Sequence, residues 1–191
     1  MRRIFWITLL GAALASLGCV VPTLHPLFSE DDLVFDPRMI GAWAGEDEDT
    51  WAFEKSSGQG YLLTITEPEG SGTFDAHLLR LGTHQFLDLY PRAENLNDTF
   101  HDSHLVPVHT FFKVIFEAET LQLVAMNPDW LEERIEKGEV EVAHVWREGD
   151  LLLTAPTEEL QELVLAFADD PAAFPVGDTE SLVIELEPTT L

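Results

Sequence analysis

Nothing constrains this chain more than the two-residue rhythm of its apolar side chains. Tyr61, Leu63 and Ile65 alternate with Leu62, Thr64 and Thr66. Phe74, Ala76 and Leu78 alternate with Asp75, His77 and Leu79. Phe112, Val114 and Phe116 alternate with Lys113, Ile115 and Glu117, and Val140, Val142, His144 and Trp146 with Glu141, Ala143, Val145 and Arg147. A period of two puts successive side chains on opposite faces of a strand. Shorter runs at residues 50–54, 86–90, 121–123 and 151–154 repeat the theme, and turn residues separate them at Ser57-Gly58, Glu69-Gly70-Ser71-Gly72, Leu81-Gly82 and Gly149-Asp150. Many short strands at this spacing predict a mainly β chain, a single antiparallel meander that closes as a barrel or stacks as a sandwich.

Two helices should interrupt the meander. Asn127-Pro128-Asp129 offers an N-cap, a proline at the first helical position and an acid in the first turn, with Gly138 past the far end. A second helix should begin near Pro156 and carry Leu160, Leu163, Val164 and Phe167 on one stripe, which needs the outside of a sheet to rest on. Residues 182–186 alternate again and add a strand. The alternation points Trp51, Phe53, Tyr61, Phe74, Phe86, Phe112, Phe116 and Trp146 inward. Trp43, Trp51, Phe53, Tyr61, Phe112 and Trp146 are then the side chains that would line any ligand pocket. Eight large residues pointing into one small barrel fill it more readily than they enclose a cavity.

Composition excludes several function classes. With 35 acidic and 10 basic residues the formal charge is −25, the wrong sign for a nucleic-acid partner. No Lys or Arg follows Arg147, and such acidity reads as adaptation to saline surroundings ahead of a specific basic partner. One cysteine makes neither an internal disulfide nor a cysteine zinc site. The chain has no Gly-x-Ser-x-Gly elbow and no phosphate-cradling glycine loop, so no cofactor is expected. Glu46-Asp47-Glu48-Asp49 lacks the spacing of an EF-hand loop. The loop at 94–104, with His109 beyond it, is dense in oxygen and nitrogen donors. His101, His104 and His109 are weak candidates for a metal, because His-x-x-His here has no helical pattern around it.

The amino terminus is more specific. Arg2 and Arg3 precede an apolar stretch at residues 4–14, then Ala15-Ser16-Leu17-Gly18, and then the only cysteine, Cys19. A positive segment, an apolar segment and small residues are the parts of a secretory signal peptide. With the cysteine at this position, the chain resembles a bacterial lipoprotein precursor. That resemblance implies cleavage before Cys19, a diacylglyceryl thioether and an N-acyl group on it, and, with Val20 rather than an acid following, an outer-membrane anchor facing the periplasm. The organisation then reads as a signal peptide at 1–18, a lipidated segment packed near the domain at 19–40, and a mainly β domain at 41–191. The alternative is an uncleaved span over residues 4–21. Cleavage would leave 8 basic against 35 acidic residues, so acyl chains, rather than attraction to anionic headgroups, would hold the protein on a membrane.

Gly41-Ala42-Trp43 at the start of the meander resembles the short signature of lipocalin-like barrels, in which that tryptophan closes one end. The stretch from Pro22 to Pro91, with Leu24-His25-Pro26-Leu27-Phe28, Asp36-Pro37 and Phe86-Leu87-Asp88-Leu89-Tyr90-Pro91, is similar to a group of envelope lipoproteins from diverse bacteria, a resemblance that brings no activity with it. Three functions are therefore expected in order: a tethered accessory to an envelope protein, a barrel that binds a small apolar ligand, and a metal-assisted hydrolase using the histidine loop.

Overall fold

The strands form where the alternation places them. In a computed structural model, which describes residues 20–45, 48–92, 104–176 and 182–190, the elements are β1 (Pro22–Thr23), β2 (Gly41–Ala44), β3 (Thr50–Lys55), β4 (Gly60–Glu67), β5 (Gly70–Leu81), β6 (His84–Pro91), β7 (His109–Glu117), β8 (Thr120–Ala125), α1 (Pro128–Glu136), β9 (His144–Arg147), β10 (Asp150–Leu153), α2 (Thr157–Phe167) and β11 (Val183–Thr189). From β2 to β8 each strand pairs antiparallel with the next. β11 then pairs with both β8 and β2 and closes an eight-stranded barrel among the described residues. Closure leaves neither β2 nor β8 with an open edge.

The barrel wall is apolar on both sides around β5–β8, and this gives the protein two cores. The inner one gathers Trp43, Trp51, Phe53, Tyr61, Leu78, Leu87, Phe112 and Leu123 with their neighbours. The outer one lies between that wall and the chain that links β8 to β11, and holds Leu79, Phe86, Phe111, Val124, Trp130, Leu160, Val164 and Phe174. Leu78 and Leu79, or Phe111 and Phe112, are consecutive and buried on opposite faces. α2 rests its stripe of Leu160, Leu163 and Val164 on the outside of the barrel, as its period requires. Lys113 on β7 donates from Nζ to the Ala168 carbonyl at the end of that helix, at 2.6 Å. α1 starts where expected, with the Asn127 side chain accepting the Trp130 N–H at 3.2 Å. Gly138, at φ +68°, turns the chain after it.

The amino-terminal segment is built into the fold. Val20 packs against the inner core and Val21 is buried in the outer one. Pro22 and Thr23 pair with Thr110 and His109 at the start of β7, and Thr23 also pairs in parallel with Leu153 of β10. Further on, Thr157 and Gln161 of α2 donate to the carbonyls of Pro26 and Leu27. A short 3-10 turn, Pro37–Met39, then covers one end of the barrel, with Met39 fully buried.

Two expectations are corrected. The stretch 140–147 is not one barrel strand. Val140 is buried in the outer core and donates its N–H to the Arg134 carbonyl at the end of α1, so the chain becomes a strand only at His144. β9 pairs with β10 alone among the described residues, outside the barrel, and Trp146 is 43% exposed rather than inward. Phe86 is fully buried, as expected, but on the outer face of the wall, edge-on to Phe174 at 5.9 Å.

Candidate functional site

The barrel interior is assembled from short strands that each contribute alternate residues. Trp43 and Trp51 face each other across β2 and β3, Phe53 and Leu63 across β3 and β4, and Phe112 reaches in from β7. Phe53 and Tyr61 meet edge to face at 6.3 Å, and Phe35 stacks on Tyr61 at 5.2 Å. The polar tips of Trp43 and Tyr61 are used at the end that Pro37–Met39 covers. Trp43 Nε1 donates to the Met39 carbonyl at 3.0 Å. The Tyr61 hydroxyl accepts the Asp36 N–H at 2.7 Å and donates to the Asp36 carbonyl at 3.1 Å. Burial pushes the Tyr61 hydroxyl above its ordinary pKa. Arg38, held to Asp36, lies over the Phe116 ring at 4.0 Å, and its bonds hold the Asp36 carboxyl below the usual range. Gly41 joins this turn to β2 at φ +138°, a backbone that residues with a Cβ rarely adopt. Of the six residues expected to line a pocket, five are here and packed against one another, with Trp146 the exception.

A polar cluster that the alternation hides lies on the other side of the wall. Asp88 on β6 has no exposed surface. One carboxylate oxygen accepts the Leu27 N–H at 2.8 Å and the other meets His109 Nδ1 at 2.7 Å. His77 sits opposite Asp88 in the β5–β6 ladder, under the Phe28 ring at 4.4 Å, and its Nδ1 has no partner among the described residues. Burial holds the His77 imidazole below its ordinary pKa, against the pull of Asp88 and Asp75, and His109 adds to the depression. An aspartate inside a run of apolar residues on a strand buried on both faces is the signal that marks such a group in sequence. The arrangement can clasp the amino-terminal segment to the barrel. Among the described residues, no serine, threonine or cysteine side chain bonds His109.

Of the histidines considered for a metal, His109 is turned to Asp88, His104 is exposed in the segment before β7, and His101 lies outside the described residues. No three His, Cys, Asp or Glu side chains converge on one point among the described residues. Cys19 also lies outside them, and no helix within them is long and apolar enough to cross a membrane. The open clefts are on the surface. One of about 460 Å³ runs between α2 and residues 138–144, past Ile135, Val140, Glu141 and Glu159. A second of about 510 Å³ continues it past Glu139, Glu162 and Phe167. The fold and these features stand without a counterpart to lean on, since no family model, curated protein or solved structure matches the chain.

Proposed function

We propose that the protein is a lipid-anchored accessory of the bacterial cell envelope, held on the outer membrane by acyl chains on Cys19 and acting through its surface on another envelope protein. The observation that carries the accessory role is the barrel interior, occupied by its own Trp43, Trp51, Phe53, Tyr61 and Phe112, with the polar tips of Trp43 and Tyr61 satisfied. A closed core of this kind leaves the exterior to do the work. The anchor rests on the order of charge, apolar stretch and sole cysteine in residues 2–19. A closed eight-stranded barrel is also the fold that a small apolar ligand would need, so ligand binding is the second reading.

Native mass spectrometry of the detergent-extracted protein separates the two. The expected species begins at Cys19 and carries a covalent lipid adduct and no small apolar guest. Cys19→Ser should leave the precursor at full length. Titration with a fluorescent fatty acid should show no saturable binding. Saturable binding that Trp51→Ala abolishes without unfolding the protein would replace the accessory role with ligand binding.

A further inference from the structure

The lipid anchor proposed above has a geometric consequence, because no free tether separates Cys19 from the fold. Val20 already packs on the inner core, Val21 is buried, and Pro22 and Thr23 are paired to β7. One residue spans about 3.8 Å, so acyl chains on Cys19 would enter a bilayer in contact with the domain. The register places Pro22 and Thr23 at one end of the barrel. Thr110 and His109 are the first residues of β7, at the end of the barrel where β6 and β8 finish and β7 and β11 begin.

That end carries exposed apolar side chains. Leu24 follows β1, and Leu105 and Val106 lead into β7, with Val106 68% exposed. Val176 belongs to the same end. The Ala173 carbonyl accepts the Asn127 N–H, and the Leu182 carbonyl accepts the Ala125 N–H, so both flanks of Val176 are tied to the end of β8. The opposite end is the one covered by Pro37–Met39, and its exposed Ile40 is on the far side from Pro22 and Thr23. Leu165 on α2 also lies toward that far end, beside the β5–β6 turn at Gly82.

We propose that the end of the barrel bearing Leu24, Leu105, Val106 and Val176 is a membrane-docking face, which seats these side chains in the lipid interface and holds the barrel in one orientation on the bilayer. The inference rests on the anchor proposed above. The acidic surface resists anionic headgroups, so docking is apolar and belongs on zwitterionic lipid.

The test uses the full chain, processed in a bacterial host and reconstituted in phosphatidylcholine vesicles. Because the only native cysteine would be acylated, a new one takes a thiol-reactive fluorophore alone. Val106→Cys and Val176→Cys report the docking end; Ile40→Cys and Leu165→Cys report the far end. With a nitroxide on the upper acyl chain of the lipid, quenching at positions 106 and 176 should be about threefold stronger than at 40 and 165, as shallow insertion of an apolar face requires. Equal quenching at all four positions, with the lipid adduct on Cys19 confirmed by intact mass, overturns the docking face and leaves the anchor standing. Absence of the adduct overturns both.

Discussion

Asp88 is where single side chains have the most to say. A buried carboxylate is tolerated only when its oxygens are bonded, and here one holds the Leu27 N–H and the other His109. Asp88→Ala leaves that N–H and the imidazole unpaired, and should cost about 3 kcal/mol in urea unfolding. A loss near zero would show that the amino-terminal segment is held without Asp88, by its strand pairing, its burial and its bonds to α2. His77, opposite Asp88, gives a pH signature. Its folded pKa lies below the ordinary 6.5, so the unfolded chain takes up the proton first as pH falls. The contribution of His77 is present above pH 6.5, is lost as pH drops from there toward the folded value, and is level below it. Unfolding free energies compared at pH 7.5 and pH 5.5 should therefore fall more for the native chain than for His77→Phe. Equal falls would mean that the imidazole is solvated in the folded protein. His77 did not stand out in the sequence, because polar members of an alternating strand read as solvent-facing; Asp88 carried its signal only in the apolar residues on both sides of it. The inward set was legible from the same alternation: Trp51 and Phe53, Tyr61 and Leu63, and Phe112, Val114 and Phe116 fall two apart along their strands. What alternation could not reveal is that β5–β8 have a second layer on their outer face, although consecutive apolar pairs such as Leu78-Leu79 and Phe111-Phe112 carry that information.

The two helices were legible in place and role, since capping residues and a 3.6-residue stripe are local signals. The stretch 140–147 was not. Its apolar residues do alternate, but Val140 follows the last turn of α1 and is drawn into the outer core, which overrides the strand pattern until His144. Trp146 consequently falls on β9, an edge strand, where the alternation has no barrel to point into. The attachment of α2 depends on both its ends. Thr157 and Gln161 hold the amino-terminal segment, and Lys113 meets the Ala168 carbonyl, where the helix dipole favours a cation. Lys113→Met keeps the stem and removes the charge. It should cost about 1.5 kcal/mol and speed hydrogen exchange in the last turn of α2 ahead of β7. Unchanged exchange in that turn would mean that the Lys113 bond does not fix the end of the helix.

Taken as one body, the molecule must hold two cores together under a charge of −25. Glu132 shows the strain locally: burial, then Asp129, Asp150 and Glu136, push its carboxyl above the ordinary range. Ionisation of Glu132 therefore opposes folding: stability falls as pH rises from the ordinary carboxylate range to the raised folded value and is level above it. Tm should climb from low salt to molar NaCl as repulsion is screened. Glu132→Gln should raise Tm at low salt, by an amount that shrinks in molar NaCl. A flat curve would remove the reading of the acidity as a fit to saline surroundings. The seam of the barrel has a consequence in time as well as in space. β11 comes from the far end of the domain and closes the wall between β2 and β8, with Pro188 beside Trp43 and Leu186 beside Leu121, while every other wall pairing joins strands that are neighbours in sequence. Bringing such distant segments together carries the largest loop-closure cost, so the ring should shut last, after the β3–β6 meander has formed. Pulse-labelled hydrogen exchange during refolding should protect β4 and β5 before β2 and β11, and simultaneous protection would rule that order out. Until the seam forms, β2 and β8 are bare template edges, and the open chain is exposed to pairing with its neighbours for as long as that last step takes.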